Sequence, residues 1–199
     1  MHRTFPFHDL SDDEFEELVR GICRQILGTG AITFAAGIDG GRDATFTGTA
    51  QRFPSTTSPL AGKFVVQAKH TSNPVASCSE KSFGKLLEGE YPKITTLIAN
   101  GELEHYIVFT NRKKPATDGV AKEKTLRALG LKSAHLLGIE QMREWLTDEP
   151  KVWRDLGFDR FDSPLRIQTA DITEVIIAFH SSVAVKKIAE DNDFTYVPK

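Results

Sequence analysis

The sequence predicts an α/β fold, one mixed sheet flanked by helices. Three features carry that expectation. Runs rich in β-branched and aromatic residues, "ATFTGTA" at 44–50, "KFVVQAKH" at 63–70 and "HYIVFTN" at 105–111, have the composition of strands. Stretches around them repeat apolar residues at helical spacing. The early strands follow one another through turns, which favours antiparallel pairing, while the later ones are separated by helices, which favours parallel crossovers.

The elements follow in order. "LSDDEFEELVRGICRQILGTG" at 10–30 reads as a helix, with Ser11 as N-cap and Glu14 as its capping-box partner. Phe15, Leu18, Val19, Ile22 and Ile26 form its apolar stripe, and Gly28 and Gly30 end it. "AITFAA" at 31–36 is a strand. "GIDGGRD" at 37–43 is a tight turn containing an Asp-Gly pair, and 44–50 is the returning strand. Residues 51–62 read as a loop with two prolines, and 63–70 as a strand with one core face, Phe64, Val66 and Ala68. The stretch 79–100 is helical in two pieces, broken near Pro92. A strand at 105–111, a helix at about 117–129, a strand at 133–138 and helices at 139–146 and 150–156 complete the pattern. After Pro164 the texture changes, so 1–163 reads as one domain and 164–199 as an extension or a connector to a further domain.

Composition narrows the function classes. Hydrophobic content of 40% and charged content of 26% describe a soluble globular chain. No apolar run reaches the roughly 18–20 residues of a membrane span, and the N-terminus lacks the apolar stretch of a signal peptide. Cys23 and Cys78 are isolated, which argues against a disulfide framework or a structural zinc site and makes a reducing cytoplasm the simplest compartment. Asp39 and Asp43 are too poor in neighbouring oxygens for a calcium loop. The hydroxyls at 56–58 lack a nucleophile elbow. His105 and His135 read as satisfied core or edge groups, and His70 as an exposed strand-end histidine.

Three polar residues stand out against the apolar strands. Gln67 and Lys69 are two apart, so they share a face. Asp43 stands at the start of its strand, just after the glycine turn, where a paired hairpin would bring it near them. Glu16 lies on the first helix beside the apolar stripe, with Glu14 and Glu17 as alternatives. Such a set suits phosphodiester hydrolysis. A carboxylate holds Mg²⁺, Gln67 and the main-chain carbonyl of Ala68 add hard oxygens, and lysine positions water or offsets developing charge.

The run "GIDGGRDATF" followed by "FVVQAKHT" resembles the PD-(D/E)xK nuclease superfamily, in its Mrr-like branch where Gln replaces the second acid. The matching pattern is Asp43, then Gln67 and Lys69. "DEFEELV" is similar to the family's first helix, whose acid assists the metal and is matched best by Glu16. The resemblance covers about 12–111, and Arg42 stands where the family often has proline. It implies a restriction-endonuclease-like sheet and a catalytic set of Asp43, Gln67, Lys69 and Glu16. The metal, Mg²⁺ with Mn²⁺ as a substitute, would sit on Asp43, Gln67 and Ala68. The layout also resembles the N-terminal double-stranded DNA endonuclease domain of bacterial antiphage proteins of the STAND NTPase or CBASS type. That implies a sensor or NTPase, fused or as a partner; the 199 residues hold no Walker A pattern.

The net charge of −2 does not advertise nucleic-acid binding, but its distribution does. Seven basic residues and only two acids fall within 111–132. Lys81, Lys85, Arg112, Lys113 and Lys114 are the expected phosphate contacts. No base-reading motif is present, so low sequence specificity is the default. Two function classes follow. One is a metal-dependent endonuclease of double-stranded DNA acting as a dimer or larger homo-oligomer in antiviral defence. The other is a catalytically degenerate module of the same fold for DNA binding or assembly; retention of Asp43 and Lys69 together favours the enzyme.

Overall fold

The computed structural model describes residues 5–28, 30, 32, 33 and 44–158. The expected glycine turn, with Asp43, and the expected extension 164–199 lie outside the described residues. Helix α1 (Asp12–Ile26) begins on the expected capping box: Ser11 Oγ accepts from the Glu14 amide and the Glu14 carboxylate accepts from the Ser11 amide. Its stripe is buried as expected, with Cys23 added. Full burial of a side chain such as Phe15 contributes on the order of 2–3 kcal/mol.

Strand β1 (Ile32–Thr33) pairs antiparallel with β2 (Ala44–Ala50), and β2 with β3 (Leu60–Lys69). β4 (His105–Thr110) and β5 (Ser133–Leu137) then add in parallel, giving a mixed sheet in the order β1-β2-β3-β4-β5. β3 starts three residues before the expected 63, because Leu60, Ala61 and Gly62 continue the ladder with β2. Gly62 has φ +149, and a side chain there would meet the Glu104 carboxylate and the His105 ring. The glycine that reads as a loop residue is the one residue type that lets the strand pass this point.

α2 (Lys81–Glu88), α3 (Tyr91–Ala99) and α4 (Ala116–Arg127) cover one face of the sheet, with Phe83, Leu87, Ile94, Leu97 and Leu126 packed on Val65, Tyr106, Val108 and Leu136. α1, α5 (Ile139–Asp148) and α6 (Lys151–Asp155) cover the other face, packed on Phe46, Phe64, Val66, Ala68, Ile107 and Phe109. β3 therefore has two core faces rather than the expected one, as parallel strands inside α/β layers do. The break between α2 and α3 falls at Gly89–Glu90, before the expected Pro92. Pro92 sits in the first turn of α3, where its missing N–H breaks no helical hydrogen bond. No helix among the described residues is long and apolar enough to cross a membrane.

Candidate active site

Alternation along β3 sends Val65, Gln67 and Lys69 to the α2–α4 face. Val65 is fully buried in that core and Gln67 is 6% exposed. Lys69 is the last residue of the strand and only half-buried, so it stands at the sheet's end. There an open cleft is lined by Asp12, Phe15 and Glu16 of α1, by Gln67, Ala68, Lys69 and His70, and by Leu86 of α2. Gln67, Ala68, Lys69 and Glu16, four of the residues expected to act together, share this cleft. Asp43 is outside the described residues. Its sequence neighbour Ala44 pairs with Val66, one residue before Gln67.

Of the three acids weighed on the first helix, Glu16 is the one that lines the cleft. Glu14 is committed to the capping box, and Glu17 is on the exposed side of α1. Glu16 forms an ion pair with Arg20, one turn on, at 3.1 Å. Lys69 Nζ donates to Glu90 Oε1 at 2.8 Å, and Lys93 Nζ lies 3.3 Å from the other oxygen, Oε2.

The main chain under Lys69 is also held. Thr110 Oγ1 donates to the Lys69 carbonyl at 2.7 Å. Arg112 lies 8% exposed, its guanidinium 5.0 Å from the Phe83 ring centroid and directed at the His70 carbonyl and Thr110 Oγ1. Burial holds the Arg112 ionisation below its ordinary value. Arg112 thus braces the end of β3 from inside, where a phosphate contact on the surface was expected. Lys114 is half-buried and paired with Glu123 at 2.8 Å. Lys81, Lys85 and Lys113 are exposed. The basic window is thus split between bracing and surface charge, because the turn after β4 carries Arg112 and Lys114 back onto the fold.

His70 is another departure. Its ring is held by Asp12 Oδ1 at 2.8 Å and by the Phe7 carbonyl at 2.9 Å, against Phe15, so it is a packed tie rather than an exposed strand-end group. His105 and His135 are hydrogen-bonded to Ser133 as expected of core or edge groups. Burial pushes the Cys78 thiol up to about 12, which makes it inert as a nucleophile.

Glu90 was not among the expected site residues, yet a signal for it exists. Phe83, Leu87, Ile94 and Leu97 are the buried stripe of α2 and α3, and Glu90 stands at the spacing of an apolar member between Leu87 and Ile94. An acid on an apolar stripe is costly to bury unless a cation meets it, and Lys69 is the cation.

Among the described residues no group of three or more His, Cys, Asp or Glu side chains could hold a metal ion. The carboxylates lining the cleft are those of Asp12 and Glu16, and Gln67 also lines it with its Oε1 buried; all are hard oxygen donors. That chemistry fits Mg²⁺, which takes one or two carboxylates and keeps several waters, better than a thiophilic ion. A complete set would require Asp43. No protein-family model, curated protein or solved structure matches the chain.

Proposed function

We propose that this chain is a metal-dependent endonuclease of double-stranded DNA with low sequence specificity, built on a restriction-endonuclease-like core and acting in antiviral defence. The observation that carries the reading is that Gln67 and Lys69 of the QxK strand line one cleft with Glu16 of α1. In this reading Asp43, Gln67 and the Ala68 carbonyl would hold a Mg²⁺ ion, with Glu16 assisting. When bound, Mg²⁺ polarises a phosphoryl oxygen and lowers the pKa of a coordinated water.

The chain's own residues do the rest. Lys69 has three N–H donors. One is spent on Glu90, so two remain for a phosphoryl oxygen or the attacking water, where the ammonium offsets charge developing in the transition state. Phe15 and Leu86 add apolar edges to the cleft. Lys81, Lys85 and Lys113 supply exposed positive charge for the DNA backbone. A double-strand break needs two such sites on opposite strands, which a two-fold homodimer supplies.

The test is supercoiled plasmid with Mg²⁺, with Mn²⁺ and with EDTA. Nicked and linear product in the first two and none in the third is the expected result. Intact plasmid under all three conditions, with retained DNA binding, would replace the enzyme by the degenerate binding module.

A further inference from the structure

We infer that Glu90 is the positioning residue for Lys69, and that the nuclease reaction depends on it as it depends on the lysine. The inference rests on the endonuclease reading above. Glu90 is 7% exposed and sits between α2 and α3 at a stripe position that an apolar residue would ordinarily occupy. Retaining a carboxylate there has a desolvation cost that hydrophobic packing would avoid, and a buried ion pair is poor evidence for stability. The placement has to be explained by what the pair does. Glu90 Oε1 lies 2.8 Å from Lys69 Nζ.

Two features separate positioning from direct participation. Lys69 lines the cleft, while Glu90 does not. Glu90 therefore reaches the reacting groups only through the ammonium it holds. Its backbone is also fixed: the Glu90 amide donates to the Leu87 carbonyl, and the Glu90 carbonyl accepts from the Ile94 amide. A lysine side chain has four rotatable carbons and loses much freedom when aimed at one point. A rigid carboxylate behind it supplies that aim before substrate arrives. Gly89 and Pro92 on either side set the helix junction that presents Glu90 inward.

The experiment compares wild type, Glu90→Gln and Glu90→Asp by steady-state cleavage of a duplex oligonucleotide with Mg²⁺, alongside thermal melts and binding in EDTA. Glu90→Gln keeps the shape and loses the charge. The expected result is a fall in kcat of about tenfold or more, with KM and duplex affinity within about twofold, and partial recovery of kcat in Glu90→Asp. If Glu90→Gln does not fold, Glu90→Asp carries the test alone: its shorter side chain withdraws the carboxylate, and lowered kcat at unchanged KM is expected. A wild-type kcat in a folded Glu90→Gln overturns the inference and leaves the nuclease reading standing. A loss of activity explained fully by lowered Tm, and restored by assaying below it, also overturns it. A wild type that cuts nothing overturns the nuclease reading, and the role of Glu90 falls with it.

Discussion

Asp12 Oδ1 lies 2.8 Å from His70 Nδ1, joining the first turn of α1 to the residue just past β3 across 58 positions of sequence. The other ring nitrogen meets the Phe7 carbonyl, and Phe15 packs on the ring at 5.2 Å. The two walls of the cleft are tied together at this point. His70→Ala should lower stability by about 2–3 kcal/mol, since it removes two hydrogen bonds and the packing on Phe15. Asp12→Asn should cost less than about 1 kcal/mol, because Asp12 itself is largely exposed. Urea melts of both variants check the ordering, and equal losses would contradict it.

Lys69→Ala should abolish plasmid cleavage while duplex binding stays within a few-fold of wild type. It should also lower stability by about 3 kcal/mol, because it strips Glu90 of its buried partner. Lys69→Met combined with Glu90→Gln should recover much of that stability and none of the cleavage. Binding is to be measured below the variants' melting temperatures. Cleavage at the wild-type rate by either form would remove Lys69 from the mechanism.

Charge reversal at Lys81, Lys85 and Lys113 should weaken DNA binding on all sequences alike. Each lost phosphate contact should reduce the salt slope of log K by about one. Arg112→Ala should behave in the opposite way, with an unchanged slope and a lower Tm, since its guanidinium is packed over Phe83. Fluorescence anisotropy over a salt series separates the two outcomes.

Acidification should destabilise the fold through His8 and His135. Burial holds both imidazoles below the ordinary value of 6.5. Asn111 Nδ2 lies 3.0 Å from His8 Nδ1, which suits a neutral ring accepting that bond. Above pH 6.5 both states are neutral and the full stability is present. As pH falls below 6.5 the unfolded chain takes up protons that the folded chain does not, so stability declines until the lowered folded pKa is reached. Tm measured between pH 7.5 and 5 should fall, and His135→Gln should flatten part of that fall; a Tm that rises on acidification would contradict the sign.

Cleavage should rise more steeply than linearly with protein concentration, because two sites must meet to break a duplex. Wild type mixed with excess Asp43→Ala protein should accumulate nicked circles. A rate strictly proportional to concentration, with linear product and no nicked intermediate in the mixture, would exclude the paired-site mechanism.

Local chemistry made several parts of the fold legible from the sequence. Ser11 and Glu14 marked the start of α1, since a capping box is completed within four residues. "ATFTGTA" matched β2 residue for residue, and strand alternation placed Gln67 and Lys69 on one face. The helix and strand order from α2 to α6 was likewise readable from periodicity, whose range is a few residues.

The tertiary structure alone decided which partner each charged group meets. Lys69 meets Glu90 from 21 positions away, Lys114 meets Glu123 across the start of α4, and Arg112 turns inward onto Phe83. Phe5 and Phe7, in a terminus that carries no periodic pattern, pack on Trp153 of α6. The physical reason is common to all of them. Periodicity states which face of an element a side chain occupies, but an ion pair or an aromatic contact depends on the distance between two elements, and that distance is set by how α2, α3 and α6 pack on the sheet.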